Sequence, residues 1–483
     1  MSNSHRTLIA GGDVLVGDPL RADVRRADIL VEDGTIVAIG NDLAGTDAEI
    51  VPAEGRWVLP GFVDTHRHLW QTTMRALTAN WNLNDYFCSI RSTHAGLHGA
   101  DDVYAGQYAG ALDALSAGVT TTIDHSHCIN SPDHADEAVR GVKDAGIRAL
   151  WCYGFYASPM DEPVFTTPEQ RLADARRIRD THFSSNDGLV RMGVALNELG
   201  FLPFHQTRAE IELADELDVR VTAHTQCVWN TERVSDVALL QRAGLLRAGQ
   251  VHSHCNTCTD EELAVLRDAG CSVSSTPDTE LQMGCGIPIY RRAAALGLTA
   301  GVGVDIVSNN SGDFFTPMRI LMQHERGHAL QPVLEARGLK AVGGDLPVTT
   351  RQILHAATLA GARALGLESV CGSIEIGKSA DLLLLRNDGL HMRPVIDPID
   401  SIVLQAGTRD IDRVLVAGRT VVRDGRLPGD VERSGTRLIE EAHERLAERV
   451  AARGGWKQPV PDGLWDEMWP VMLANLAADR AEV

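Results

Sequence analysis

Long apolar runs are missing from this 483-residue chain. No stretch approaches the ~20 consecutive apolar residues that span a bilayer. The opening six residues lead into a short apolar run at 7–10, too brief for the core of a signal peptide. Basic charge is also scarce: 45 Lys and Arg stand against 65 Asp and Glu, a formal net charge of −20. That speaks against a nucleic-acid or anionic-membrane partner, since either surface calls for clustered cations. Cysteine is sparse and odd in number, nine residues without framework spacing. A disulfide-built secreted protein is therefore not expected, and a chain of this length buries a core without cross-links. The expectation is a reduced, cytoplasmic protein. No fixed-period repeat or low-complexity tract is present.

What the sequence does contain is alternation. Residues 1–58 read as short strands punctuated by Gly11-Gly12 and Asp33-Gly34, as hairpins of a small β-unit would be. From Trp57 onward, apolar strand-like runs occupy 57–64, 119–124, 148–153, 189–196, 219–224, 250–254, 271–275 and 299–305. Amphipathic helix-length segments separate them, for example 101–117, 168–181, 206–217 and 259–268. Near-continuous apolar strands, each followed by a helix, indicate parallel strands buried on both faces. Eight such units predict an α/β fold, a (β/α)8 TIM barrel. An open doubly wound sheet would carry a Gly-rich phosphate loop after its first strand, and none follows 57–64. Two further helices are expected at 313–329 and 349–365, and strand-like runs then return at 380–385, 400–404, 413–418 and 420–425. Their texture matches the N-terminal segment. The domain reading is a first β-sandwich segment at 1–58, the barrel at 59–371, a second β-sandwich segment at 372–430 and a C-terminal helical extension at 431–483. The barrel is thus inserted into a small β-sandwich domain made of both chain ends. Trp465 and Trp469 share a helix face in the extension and read as packing.

The strongest local signal is Asp64-Thr65-His66-Arg67-His68. Residues i and i+2 of a strand share a face, so His66 and His68 at the end of the first strand would both point into the barrel mouth. His224 ends the fifth strand candidate, His254 the sixth and Asp305 the eighth. Active sites of this fold are built at the C-terminal ends of the strands. Imidazoles and a carboxylate converging there suit a borderline divalent metal such as zinc. The expected ligands are His66, His68, His224 and Asp305, with an open position for water. Asp305 is also placed to take that water's proton, and His254, one strand over, to hydrogen-bond the substrate oxygen or the attacking hydroxide. The fourth strand candidate carries no Lys to bridge a second ion, so one metal is expected. Trp70 and Trp81 could line a pocket for a flat ring or pack the first helix. His125 and His127 follow the second strand and read as structural, and His324 and His328, at i, i+4 on a later helix, as surface residues.

These residues resemble the amidohydrolase superfamily, and within it the mononuclear branch of cytosine-deaminase-like and triazine-hydrolase-like (chlorohydrolase) enzymes. The resemblance covers nearly the whole chain. It is carried by residues 59–72 (Leu-Pro-Gly-Phe-Val-Asp-Thr-His-Arg-His-Leu-Trp-Gln-Thr), 118–125 (Gly-Val-Thr-Thr-Thr-Ile-Asp-His), His254-Cys255 with 259–263, Gly303-Val304-Asp305 with Ser308-Asn309 and Met318-Arg319, and 372–382. The resemblance implies attack by metal-activated water on an sp2 carbon bonded to nitrogen or another leaving group. It also implies one divalent metal, zinc or sometimes iron (Fe2+), a homodimer or higher homo-oligomer, and a substrate role for Gln71. One departure stands out. Deaminases of this branch place Glu three residues after the fifth-strand His, whereas His224-Thr225-Gln226-Cys227 has Cys there. A thiol with a reference pKa of ~8.5 and weak hydrogen bonds is a poor proton shuttle. Asp305 could then carry all proton transfers, another acid could serve, or the reaction could differ from ordinary deamination. Glu280, in a loop where relatives carry Ser-Asn, is a candidate for that acid. The expected activity is hydrolysis of non-peptide carbon–nitrogen bonds in a small cyclic or heteroaromatic substrate, of the deaminase type. Amide or lactam opening and a metal-dependent lyase or isomerase are the alternatives.

Overall fold

The computed structural model describes residues 5–43, 47–226, 234–341 and 343–477. Eight parallel strands close into a barrel: Phe62–Arg67, Val119–Ser126, Arg148–Gly154, Val190–Ala195, Arg220–Thr225, Val251–His254, Ser272–Ser275 and Thr299–Val302. Closure runs through the pairing of Val302 with Asp64. The first three strands are buried along their whole length, as strands covered by helices on one face and packed inside the ring on the other must be. The intervening helices carry ordinary start and stop signals. Pro132–Ala145, for instance, begins with Ser131 accepting from the His134 N–H, has Pro at its first turn, and ends at left-handed Gly146.

A second sheet is built from both chain ends. Arg6–Leu15, Val24–Glu32, Thr35–Gly40, Glu49–Pro52 and Arg56–Pro60 are joined by Leu382–Arg386, Ile411–Val416 and Arg419–Arg423. The two halves meet where Arg56–Pro60 pairs antiparallel with Leu382–Arg386. The Arg148 guanidinium donates to Asp381 through Nε (2.5 Å) and Nη2 (3.2 Å), which ties the third barrel strand to this sheet. At the C-terminal end, helix Gly429–Ala452 lies on helix Ala100–Ser116, where Arg445 Nε (2.8 Å) and Arg449 Nη1 (2.5 Å) donate to buried Asp102. A last helix, Leu464–Ala477, follows.

Three expectations are corrected. The single run at 57–64 is two strands in two sheets, Arg56–Pro60 and Phe62–Arg67. The chain changes sheets at Gly61, where a Cβ would lie 2.2 Å from Thr120 side-chain atoms. Both strands are apolar, so hydropathy alone does not separate them. The run at 400–404 is part of a helix, Pro398–Leu404, in which Asp397 accepts from the N–H groups of Ile399 (2.7 Å) and Asp400 (3.2 Å). An Asp-Pro start outweighs the β-propensity of Ile and Val. The eighth strand stops at Val302, and Asp305 lies beyond it.

Candidate active site

The C-terminal ends of four barrel strands bring His66, His68, His224, His254 and Asp305 together, all buried. His66 lies on the first strand, and His68 one residue past it, before the short helical turn Leu69–Met74. Asp305 is held against them by backbone: its N–H donates to the His66 carbonyl (2.8 Å), and the His68 N–H donates to the Asp305 carbonyl (2.8 Å). This approach requires Gly303, where a Cβ would sit 2.7 Å from the His66 carbonyl oxygen. His254 (φ 71°), Cys255 (φ 54°), Gln226 (φ 47°) and Asp305 (φ 68°) all have left-handed backbone. That conformation costs roughly 1–2 kcal/mol at each such residue and gathers where a site needs its side chains turned inward.

The ring nitrogens facing away from the centre are engaged. His68 Nδ1 donates to the His125 carbonyl (2.7 Å), and His224 Nδ1 donates to Glu198 Oε1 (3.0 Å). His66 Nδ1 pairs with Ser253 Oγ (2.8 Å). A carbonyl and a carboxylate can only accept, so the Nε2 atoms of neutral His68 and His224 carry lone pairs and no proton. Those two Nε2 atoms nevertheless lie 3.3 Å apart. Asp305 Oδ1 is 3.3 Å from His66 Nε2 and 3.3 Å from His68 Nε2. Second protons on His66 and His224 are disfavoured and do little to relieve this crowding. Burial holds the His66 imidazolium well below its usual range, and burial holds His224 down to about 4 although Glu198 pulls the other way. Buried His66 Nε2 has no hydrogen-bond partner. Acceptors facing acceptors repel one another unless a cation sits among them. A separation of 3.3 Å is also close to the edge of a tetrahedron whose centre-to-ligand distances are about 2.0–2.1 Å. His66, His68, His224 and Asp305 could therefore hold one divalent ion. The ligand atoms of His66, His254 and Asp305 lie within 4.8 Å of one another, as do those of His66, His125 and His224; neither of these two sets includes His68.

A pocket opens directly on this cluster. His68, His224, His254 and Asp305 form its floor. Leu83, Tyr86, Phe87, Phe201, Met283, Cys285 and Ile306 form apolar walls, with Arg91, Glu198 and Thr279 as its polar side. Beside it, a second cavity is lined by Glu198 and His224 together with Trp469, Met472 and Leu476 of the last helix, so the C-terminal extension reaches the edge of the site.

Comparison with known proteins matches residues 57–421 to the Amidohydrolase family. The chain belongs to that family. A 5-methylthioadenosine/S-adenosylhomocysteine deaminase of Symbiobacterium thermophilum is 30% identical over 439 residues, covering 87% of this chain and 94% of the relative. A 5'-deoxyadenosine deaminase of Methanothermobacter thermautotrophicus is 28% identical over 453 residues, covering 91% and 98%. Among solved structures, a zinc-bound adenosine deaminase from Xanthomonas campestris superposes with a TM-score of 0.79 at 23% identity, covering 91% of this chain and 98% of that one. An atrazine chlorohydrolase from Arthrobacter aurescens TC1 complexed with zinc gives 0.75 at 22% identity, covering 90% and 100%. The present amidohydrolase is accordingly an enzyme of the class that acts on carbon–nitrogen bonds.

Glu280 is not in a loop. It lies on helix Pro277–Met283, fully buried, accepting from the Thr276 N–H (2.8 Å), with Oε1 3.5 Å from His254 Nδ1. Thr276 Oγ1 also pairs with that nitrogen (3.0 Å). Burial lowers the His254 pKa, but Glu280 and Asp305 outweigh it and hold it above the ordinary value. Gln71 donates to the Tyr86 hydroxyl (2.7 Å) and accepts from Ser308 (2.8 Å), and so sets the pocket wall from behind. Trp70 is fully buried, with Nε1 donating to His127 Nδ1 (3.0 Å), and Trp81 packs against the main core; neither lines the pocket. Cys227 lies outside the described residues. His125 and His127 stand behind the cluster, stacked on His224 and His68 respectively, each with centroids 4.2 Å apart. His324 and His328 stack on each other on helix Phe315–Arg337 and belong to no candidate metal group among the described residues. Sequence reasoning missed Glu198, Arg91 and Ser253. Only Glu198 left a trace, as an acid just past the fourth strand's end, where this fold gathers its chemistry.

Proposed function

We propose that this chain is a metal-dependent hydrolase of non-peptide carbon–nitrogen bonds in a small cyclic or heteroaromatic substrate, of the deaminase type. The observation that carries this reading is the convergence of the Nε2 atoms of His66, His68 and His224 on one another and on Asp305 Oδ1 at 3.3 Å spacings. His66, His68, His224 and Asp305 would hold one ion, zinc in the first instance and Fe2+ as the alternative. Such an ion supplies an open coordination position and brings the pKa of water there toward ~7. Asp305 takes the proton of the attacking water and later returns it to the leaving nitrogen. His254, steadied by Thr276 and Glu280, donates a hydrogen bond to the attacking oxygen or, with an amide or lactam substrate, to the carbonyl oxygen that gains charge. Glu280 acts through His254, because its contacts lie behind that ring. The aromatic and apolar walls supply a slot for a flat ring and exclude water from the attacked carbon. The curated relatives, which are deaminases of 5'-deoxyadenosine and of 5-methylthioadenosine/S-adenosylhomocysteine, support release of ammonia as the reaction.

The Cys at position 227 favours a second reading, amide or lactam opening, or else a non-hydrolytic lyase or isomerase step. A panel of amino-heterocycles, adenine nucleosides, amides and lactams, offered to zinc-loaded protein, separates these. Free ammonia supports deamination, a retained amine supports ring or amide opening, and product unlabelled by heavy-oxygen water supports the non-hydrolytic step. Failure to turn over any member contradicts the proposal. Our reading also includes a cytoplasmic homodimer or larger homo-oligomer, which light scattering on the purified protein tests.

A further inference from the structure

Two charged side chains of the pocket wall, Arg91 and Glu198, have been given no contact with substrate in the chemistry above. Arg91 lies in the helical turn Phe87–His94 after the first barrel strand, and Glu198 three residues beyond the fourth strand, Val190–Ala195. Arg91 Nη1 donates to Glu198 Oε1 (2.8 Å), and both residues line the pocket beside His68, His224 and Asp305. Each leaves one edge unused. Arg91 Nη2 and Nε and Glu198 Oε2 are buried without a hydrogen-bond partner. Buried polar atoms are nearly always satisfied, so orphans at a pocket wall point to a ligand that completes them.

The pair is rigidly set. The Arg91 guanidinium lies over the Tyr156 ring, 4.0 Å from its centroid, and Glu198 is also fixed by His224. Its two charges cancel, so it offers no net attraction to an anion. What it offers is a donor beside an acceptor. Phe87 and Phe201 stack 5.4 Å apart in the same wall. The shape that completes both orphans is the edge of a neutral planar heterocycle with an acceptor next to an N–H: a lactam, a cyclic amidine or an aminoazine.

Building on the hydrolase reading above, we propose that Arg91 and Glu198 together determine specificity. They read the adjacent donor and acceptor of an uncharged heterocyclic substrate and reject anionic ones. A site built to bond an N–H discriminates strongly against an analogue that lacks it, because its own buried groups are then left unpaired.

The test is binding to the zinc-loaded full chain, followed by ligand-observed NMR or calorimetry. The probes are 2-pyridone, N-methyl-2-pyridone and 2-oxo-1,2-dihydropyridine-3-carboxylate. The expected result is that 2-pyridone binds about tenfold or more tighter than either analogue. Arg91→Gln should erase most of that preference while leaving bound zinc at the wild-type level; Glu198→Gln should erase it too, and because Glu198 also accepts from His224 Nδ1 its probe binding is compared at saturating zinc. Equal binding of all three probes by the wild type overturns the proposal and needs no variant to fold. An equal loss for all three probes in Arg91→Gln overturns it too. The two readings fail separately. Turnover in the substrate panel without probe discrimination sinks the specificity pair alone, and probe discrimination without any turnover sinks the hydrolase reading alone.

Discussion

Replacing Ser253 by alanine isolates the tautomer of His66. The Ser253 hydroxyl is fully buried and lies 2.8 Å from His66 Nδ1. If His66 presents its Nε2 lone pair to a cation, Nδ1 must carry the proton, and Ser253 is the acceptor for it. Removing the hydroxyl leaves that N–H buried and unpaired, at a cost of about 1–3 kcal/mol. The metal-free protein escapes most of this cost by moving the proton to Nε2, where Asp305 Oδ1 waits at 3.3 Å. The metal-loaded protein has no such escape. The whole cost therefore falls on metal affinity, a loss of about 5- to 150-fold, in line with the roughly 10- to 100-fold typical of groups that orient a ligating His. Competition for zinc against a chromophoric chelator measures it, with the melting midpoint of the metal-free variant as the control. Zinc affinity within about twofold of the wild type, with the metal-free proteins equally stable, would refute the assigned tautomer.

Two further outcomes follow from buried ionisable groups outside the cluster. Asp381→Ala strands Arg148, whose side chain is 7% exposed, and should cost about 3–5 kcal/mol in denaturant unfolding. Arg148→Met combined with Asp381→Leu should recover a large share of that loss, and a single variant as stable as the double would contradict the pairing. Burial pushes Glu210 up to about 8, although it accepts from the Asn197 N–H (3.0 Å). Folded Glu210 thus holds a proton that the unfolded chain releases near the ordinary value of about 4.3. Its contribution to stability is complete below that value and is lost as pH rises to about 8, at no more than about 1.4 kcal/mol per pH unit. Glu210→Gln should flatten the stability profile across that window, and parallel wild-type and variant profiles would show that Glu210 is ionised in the fold.

The barrel was legible because each strand is an apolar run followed by a helix of its own, and because the two share no hydrophobic period. Where two sheets meet end to end, as at Pro60-Gly61, that signal has no break to show. Residues 400–404 read as a strand because Ile and Val weigh more in a propensity argument than the Asp397-Pro398 cap before them. The central histidines and Asp305 were legible from residue type together with position at strand ends. The residues that orient them were not. Ser253 is 187 positions from His66, Glu198 is 26 from His224, and Arg91 is 107 from Glu198. Nothing local in the sequence marks a serine or glutamate as the partner of a distant ring nitrogen; only closure of the barrel sets them side by side. Glu280 likewise gained its meaning from burial, since an acid at a strand end reads as solvated until the helix that hides it is known.

The most direct measurement is anomalous diffraction at the zinc edge from crystals of the zinc-reconstituted, active protein. One peak is predicted per chain, about 2.0–2.2 Å from the Nε2 atoms of His66, His68 and His224 and from an oxygen of Asp305. A peak coordinated by His125 instead of Asp305, or full activity in protein with no zinc among these four side chains, would contradict the account.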